Sequence, residues 1–449
     1  MFVVPKINLQ EVIMEQLKNF DHYMQEKFYE FFNAYKSQLP LPYFKCFIET
    51  IYAMISVSCP IIRQISQHFK GNTTVKKKQE RISYHLSKKE NFEKLNDAVL
   101  QRQSTEIKKD TLIIIDGSDI TKPNAKCMQH IKKIRDGSTG EIVNGYYTFN
   151  AVTVDSDSLG NLNINPLYSY LYSNDIEKDT QNTRLIDFIT DSTLYSGNKG
   201  IYVFDRGYDS RILIEELIKN DNDFVIRSTG KRDLVVDGQK CSFRTALDLI
   251  KLKHEYKCPI KNKLIKYGVR KVGVITDPHP KKDPTTVSLY LIKARYGDSG
   301  GLFYFYAYFK DDNMAEVLLG QKVLEIYVKR WKIEEFFRHI KTEYKVEDIQ
   351  LLNYNRLQSI YLWMFLMFTF IYSCKKVLLR VSDKYRHFVY DFKNDMIALN
   401  GFSFYRLSKI LKMVFIGYAS RKKRKDSVKK PDPRQITLET FILENFGVC

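Results

Sequence analysis

The hydrophobic pattern changes character along the chain. From the N-terminus to about residue 107, apolar positions recur at helical spacing, as in EVIMEQLKNFDHYMQEKFYEFFNAY, and no stretch alternates with period two. Farther on, TTVKKKQERISYHLSKKENFEKLNDAVLQR sets a basic stretch ahead of another helical pattern. At TLIIID (111–116) the character switches to a short isoleucine-rich run that ends in an acid and then a glycine, which reads as a buried strand. YYTFNAVTVD (146–155) alternates as a second strand, and NINPLYSYLYS (162–172) reads as a third. A helical stretch near TRLIDFITDS leads to GIYVFD (200–205), again a buried strand ending in an aspartate. SRILIEELIKN (210–220) follows as an amphipathic helix, with Asp209 or Ser210 as its N-cap.

From about 222 to 310 the pattern is strand-like through DFVIRS, VVDG, KVGVIT, SLYLIKARY and LFYFYAYF, with turns at DG, GDSGG and PHPKKDP. Helix returns from Met314 through Tyr344. IYLWMFLMFTFIYSC (360–374) has no charge, but it is shorter than the ~20 residues that span a bilayer, so it reads as a buried core helix. Strands ending in acids, then a β-rich block, then helices predict an α/β core interrupted by a β-rich insertion. The predicted divisions are a helical N-terminal region (1–107), the first part of the core (108–221), the insertion (222–313), the second part of the core (314–378), and a C-terminal helical region with a basic arm (379–449).

Charge adds a partner to this picture. The 449 residues carry a formal net charge of +19, which suits a polyanion, most often nucleic acid and sometimes an anionic membrane surface. A lysine-rich composition without a specific partner is the bland alternative. Lys76, Lys77 and Lys78 read either as the basic edge of a DNA-holding helical module or as a solvated loop. The seven cysteines fall in no CxxC or Cys/His ligand spacing and read as reduced thiols of a cytoplasmic protein. The first residues lack the basic-then-apolar pattern of a signal peptide.

Candidate chemistry centres on YVKRWKIEEFFRHIKTEYK (327–345). On a helical wheel with Tyr327 at the origin, Arg330, Glu334 and Lys341 fall at about −60°, −20° and −40°, whereas Glu335 falls at about 80°. Ile326, Ile333, Phe336 and Ile340 form the opposite, core-facing stripe. An i,i+4 ion pair between Arg330 and Glu334 accounts for part of this pattern without any chemistry. Asp116 and Asp205 add to it, because each ends an apolar strand, where α/β sheets build sites. If those strands are neighbours, the two aspartates and Glu334 make a three-carboxylate set, the kind of hard-oxygen site that holds magnesium or manganese for phosphoryl displacement. Asp119 reads as a turn residue, Asp209 as a cap, Arg206 and Tyr208 as loop-ordering residues, and Glu335 as a bystander.

These residues resemble the DDE transposases of bacterial insertion sequences, in particular the family-four group with the signature Y-x2-R-x3-E-x6-K. Tyr327, Arg330, Glu334 and Lys341 match that signature without a gap, and LIIIDGS and VFDRGY match the contexts of the two aspartates. The acids are 89 and 129 residues apart, and the family carries its β insertion in the second interval. The resemblance covers roughly residues 60 to 380. It implies an RNase H-like core and two magnesium or manganese ions held by Asp116, Asp205 and Glu334. It also implies phosphate contacts from Tyr327, Arg330 and Lys341. The activity implied is cut-and-paste movement of an insertion sequence by end nicking, a hairpin intermediate and strand transfer. The partners implied are double-stranded DNA, as inverted-repeat ends and target, and a second copy of the chain, with no membrane; the setting is the bacterial cytoplasm at the nucleoid. Relatives stack an insertion tryptophan on a flipped base. Here Trp331 and Trp363 lie outside the insertion, so Tyr304 or Tyr306 is the expected substitute, with strand core as the other reading. A transposase-derived DNA-binding protein without cleavage, and a metal-dependent DNA nuclease, are the competing functions.

Overall fold

The computed structural model describes residues 9–69, 72–156, 162–176, 180–258, 263–275, 286–311, 314–381 and parts of 404–416. The basic arm at 420–435 and most of the expected C-terminal region lie outside the described residues. The chain forms two compact units, one made of Met1–Ala98, Ala125–Gln129 and Arg338–Cys449, the other of Val99–Asn124 and His130–Phe337.

The expected N-terminal helices are α1 (Leu9–Asn33), α2 (Leu41–Val57), α3 (Ile62–Gln67), α4 (Val75–Leu86) and α5 (Lys89–Thr105). Lys76, Lys77 and Lys78 are helical and not a loop. Thr74 caps α4 by accepting the Lys77 N–H, which starts the helix ahead of the lysines.

The second unit is α/β. Its core strands are β1 (Leu112–Thr121), β2 (Lys132–Arg135), β3 (Ile142–Ser156), β4 (Leu162–Tyr172), β5 (Ile201–Phe204) and β6 (Asp223–Arg227), with α6 (Thr180–Ser196) leading into β5 and α7 (Arg211–Lys219) leading into β6. Five strands lie in the order β4-β3-β1-β5-β6; β1, β5 and β6 run parallel, and β3 runs antiparallel to β1 and β4. This is the RNase H-like arrangement. The apolar residues of β1 and β5 are buried, as strands covered on both faces require. Pro166 falls on β4, opposite Val152 where the pairing shifts register, a position that spares the sheet a ladder donor.

One expectation fails here. Asp116 does not end its strand, because β1 continues to Thr121 against the long strand β3. Only its parallel pairing with β5 stops at Ile115. Asp119 is therefore a strand residue, and its carboxylate accepts the Gly137 N–H.

The insertion supplies β7 (Leu234–Val236), β8 (Gln239–Cys241), α8 (Phe243–Asp248), β9 (His254–Cys258), β10 (Lys263–Ile275), β11 (Thr286–Tyr296) and β12 (Leu302–Tyr308). The β7–β8 hairpin closes through Asp237 and Gly238, both at positive φ, as a two-residue turn requires. The insertion is not a separate sheet: β12 pairs antiparallel with β6 and continues the core into a 12-stranded sheet. Because β6 also pairs in parallel with β5, the last core strand falls inside the span read from sequence as insertion.

Next come α9 (Glu316–Val328), a 3-10 turn at Lys329–Trp331, and α10 (Lys332–Glu343), which passes into the helical unit from Arg338. Strand β10 seats α9. The Tyr267 hydroxyl donates to the Val317 carbonyl at 2.8 Å, and Gly320 lies so close to the Tyr267 ring that a Cβ there would meet it at 2.3 Å. The insertion thus fixes the helix whose last turn carries Tyr327.

In the helical unit the apolar segment forms α11 (Tyr354–Val381). It is long and apolar enough to cross a membrane, but 94% of its apolar window is buried inside the protein, as expected of a core helix. Trp363 is fully buried and donates its indole N–H to the Tyr43 hydroxyl at 3.0 Å, and Phe370 packs on Phe28, Phe31 and Phe32.

Gly320→Ala should cost about 1–3 kcal/mol, because the added methyl forces α9 off Tyr267. Tyr267→Phe, which loses only the hydrogen bond, should cost about 1 kcal/mol. Denaturant unfolding of the two variants checks the order.

Candidate active site

The register of three strands sets one level across the sheet. Ile115 pairs with Phe204, and Phe204 pairs with Ile226. The next residue on each chain is Asp116, Asp205 and Arg227, so two acids and an arginine follow the last common rung. On the other side of β1, Asp116 pairs with Asn150, which is fully buried. Its amide donates to the Thr148 hydroxyl at 2.8 Å and accepts from the Ser169 hydroxyl at 2.5 Å.

Tyr327 and Arg330 reach these acids from the end of α9 and the 3-10 turn. The Tyr327 hydroxyl donates to Asp205 Oδ1 at 2.7 Å. Arg330 spans two acids, with Nη1 donating to Asp116 Oδ2 at 3.1 Å and Nη2 to Glu334 Oε1 at 2.5 Å. The other oxygen of Asp116 accepts the Gly117 N–H at 2.9 Å. Arg227 Nη1 lies 3.8 Å from Asp205 Oδ1.

These contacts set the charge states. Burial pushes the Asp116 carboxyl up to about 6; Arg330 and the Gly117 N–H offset part of this, while the carboxylates of Asp205 and Glu334 add to it. Burial also works against the charge on Asp205. There the Tyr327 hydroxyl, the Arg206 N–H and the two arginines outweigh it and hold the carboxyl below its ordinary value. Tyr327 is pushed well up, first by burial and then by Asp205, so it remains a donor.

The adjacent glutamates part as the wheel predicts. Glu334 is 54% exposed at its side chain and joins Arg330. Glu335 turns inward to Lys332 at 3.0 Å, in a pair whose side chains are only 13% and 3% exposed. Lys332 also lies 4.0 Å over the Trp331 ring. Glu335 is therefore half of a buried ion pair and more than a bystander. The stripe residues Ile326, Ile333, Phe336 and Ile340 are all buried.

Other expected residues lie elsewhere. Lys341 belongs to the helical unit, and its amine pairs with Glu347 at 3.3 Å. Tyr306 is fully buried, and Tyr304 packs edge-on against Phe243 with ring centres 5.2 Å apart. Strand alternation turns both away from Tyr327, whose ring instead meets Phe305 at 4.6 Å. Asp209 is not the cap of α7. Ser210 accepts the Leu213 N–H, while Asp209 accepts from the Thr229 N–H and from Arg232. Tyr208 is buried against Phe204 in the turn after Asp205, where it orders the loop. Arg227 was not among the expected site residues. Its signal in the sequence is its place directly after the apolar run FVI, the same context that marks the two aspartates.

Three carboxylates are the donor chemistry of a hard divalent cation, and burial, more than the neighbouring acids, disfavours the charge on Asp116. Among the described residues, no three His, Cys, Asp or Glu side chains close on one point as a metal ion needs. Arg330 already engages two of the three acids, so the donors fit such an ion provided that the guanidinium gives way.

A family model described as "Transposase DDE domain" matches residues 107–370. Among solved structures, the chain is similar to one titled "Cryo-EM structure of piggyBac transposase synaptic complex with hairpin DNA (SNHP)". The identity is 9% and the TM-score 0.42, over 89% of this chain and 76% of that one. No curated protein sequence matches the chain.

Glu335→Ala should destabilise the protein by about 3–5 kcal/mol, because it leaves Lys332 charged and buried. Glu334→Ala should cost far less, and thermal unfolding separates the two. Because the folded-state pKa of Asp116 lies above its ordinary 3.8, this carboxyl costs stability as pH rises through about 4 to 6. Asp116→Asn should therefore raise the unfolding midpoint by roughly 2–4 °C at pH 8 and leave it unchanged near pH 4.

Proposed function

Because the chain belongs to the DDE transposase family, we propose that it is an active transposase that moves an insertion sequence by a cut-and-paste route. The reading rests on one observation above all: Asp116 and Asp205 follow the same rung of the sheet, and Arg330 joins Asp116 to Glu334. The substrate is double-stranded DNA, as inverted-repeat ends and then target, and two copies of the chain hold the paired ends. The route runs through end nicking, a hairpin intermediate and strand transfer, in the cytoplasm of a bacterium at its nucleoid.

Asp116, Asp205 and Glu334 would hold the divalent ions, two magnesium or manganese ions per site, which would supply activation of the attacking oxygen and stabilisation of the leaving one. The protein's own groups do the rest. Tyr327 keeps Asp205 charged and in place. Arg330, Arg227 and Lys341 take the phosphates, positioning the strand without reading its bases. Of the two rings expected to contact an extruded base, Tyr306 is fully buried, which leaves the half-buried Tyr304. A cleavage-free DNA-binding descendant would not need Asp116 and Asp205 after one rung with Glu334 joined to Asp116 through Arg330. A nuclease unconnected with transposition would not need the full Tyr-Arg-Glu-Lys signature.

The test uses DNA carrying the element's own ends. Asp116→Asn, Asp205→Asn and Glu334→Gln should each cut magnesium-dependent nicking by at least ~100-fold while binding persists. Retained nicking in any of them would sink the proposed acid set. Arg227→Ala and Lys341→Ala should weaken binding and lower the slope of log affinity against log salt by about one each.

A further inference from the structure

We infer that Arg330 is the resident counter-ion of the acid set, that a divalent cation must displace it from Asp116 and Glu334, and that this exchange frees its guanidinium for DNA phosphate. The inference rests on the proposed metal chemistry and adds an order of events to it.

Asp116 has its Oδ1 on the Gly117 N–H and its Oδ2 on Arg330 Nη1. Glu334 meets the same guanidinium through Oε1. A hard cation binding between these two acids would draw on the oxygens that now face the guanidinium. A carboxylate oxygen has lone pairs enough for both partners. Two positive centres a few ångströms apart in a partly buried site nevertheless repel strongly. Arg330 is 14% exposed at its side chain and cannot simply retreat into bulk water where it stands. The cation and the guanidinium therefore compete.

The planar fork of arginine suits the resident role, because it engages two carboxylates at once where an ammonium would act as a point charge. Tyr327 does not compete in this way. Its hydroxyl bonds Asp205 without a charge. Of the two signature residues on the acids, only Arg330 stands in for the cation. Once displaced, it becomes a charged donor beside the metal site, so cation binding and phosphate binding favour each other by linkage.

The experiment is calorimetric titration of the DNA-free, full-length protein with manganese. Arg330→Gln should bind manganese about tenfold tighter than wild type or better, because it removes one competing charge. Arg330→Lys, which keeps the charge, should show much less gain. Equal or weaker binding by Arg330→Gln would overturn the inference, since a guanidinium that helps to build the site would be missed by the cation. A wild-type measurement guards against a misfolded variant: phenylglyoxal labelling of Arg330, read by mass spectrometry, should speed up when manganese is added. Unchanged or slower labelling counts against displacement. If wild type and Asp116→Asn bind manganese alike, the metal reading itself fails and takes this inference with it. If wild type alone binds and Arg330→Gln does not tighten, only the exchange fails.

Discussion

Carboxylates gathered at one level of a sheet repel one another, and burial makes the repulsion worse. Much of the α/β unit is arranged around that constraint. Asp116 bears most of the cost: its proton affinity is raised by burial and by two neighbouring acids, and Arg330 only partly offsets this. Asp205 escapes it, because a phenol, a backbone N–H and two arginines favour its charged form. The two aspartates follow one rung of the same pair of strands, yet their surroundings push their proton affinities in opposite directions. Such divergence between paired acids is common where a site must stay charged while remaining partly dry.

The sheet and the insertion both serve this arrangement. Parallel pairing of β1 with β5 decides that Asp116 and Asp205 are neighbours, and β6 adds Arg227 at the same level. The insertion then works as scaffold. Its strand β12 extends the core sheet beside β6, and β10 seats α9 through Tyr267 and the bare backbone of Gly320. The position of Tyr327 and Arg330 depends on that seat. A block of strands that looks like an interruption in the sequence is part of what sets Tyr327 and Arg330 beside Asp205 and Asp116.

The legible part of the site is the part written in strand-end contexts and helical phase. Asp116 and Asp205 stand out because apolar runs rarely end in an acid by accident. Glu334 separates from Glu335 because consecutive helical residues point about 100° apart. The limits of the sequence are equally physical. Nothing in GSDIT announces that β1 continues past Asp116, because that depends on the length of β3. Tyr304 and Tyr306 look available as aromatics, yet both lie on the face of β12 that meets Phe243, and Tyr306 is fully buried there. Arg227 goes unnoticed because its place at the site depends on β6 pairing with β5, a long-range fact.

The adjacent glutamates show why phase matters more than composition. Both lie in the first turn of α10, and each has a basic partner within four residues. A tally of ion pairs would score them alike. Burial separates them. Lys332 and Glu335 neutralise each other inside the protein, where breaking the pair leaves a stranded charge. Arg330 is mostly buried beside Asp116, whereas its partner Glu334 is half-exposed, so the second pair keeps one carboxylate in reach of solvent. The first pair stabilises the turn between α9 and α10. The second involves a half-exposed glutamate, and the exchange inferred for Arg330 would draw on it while leaving the first pair intact.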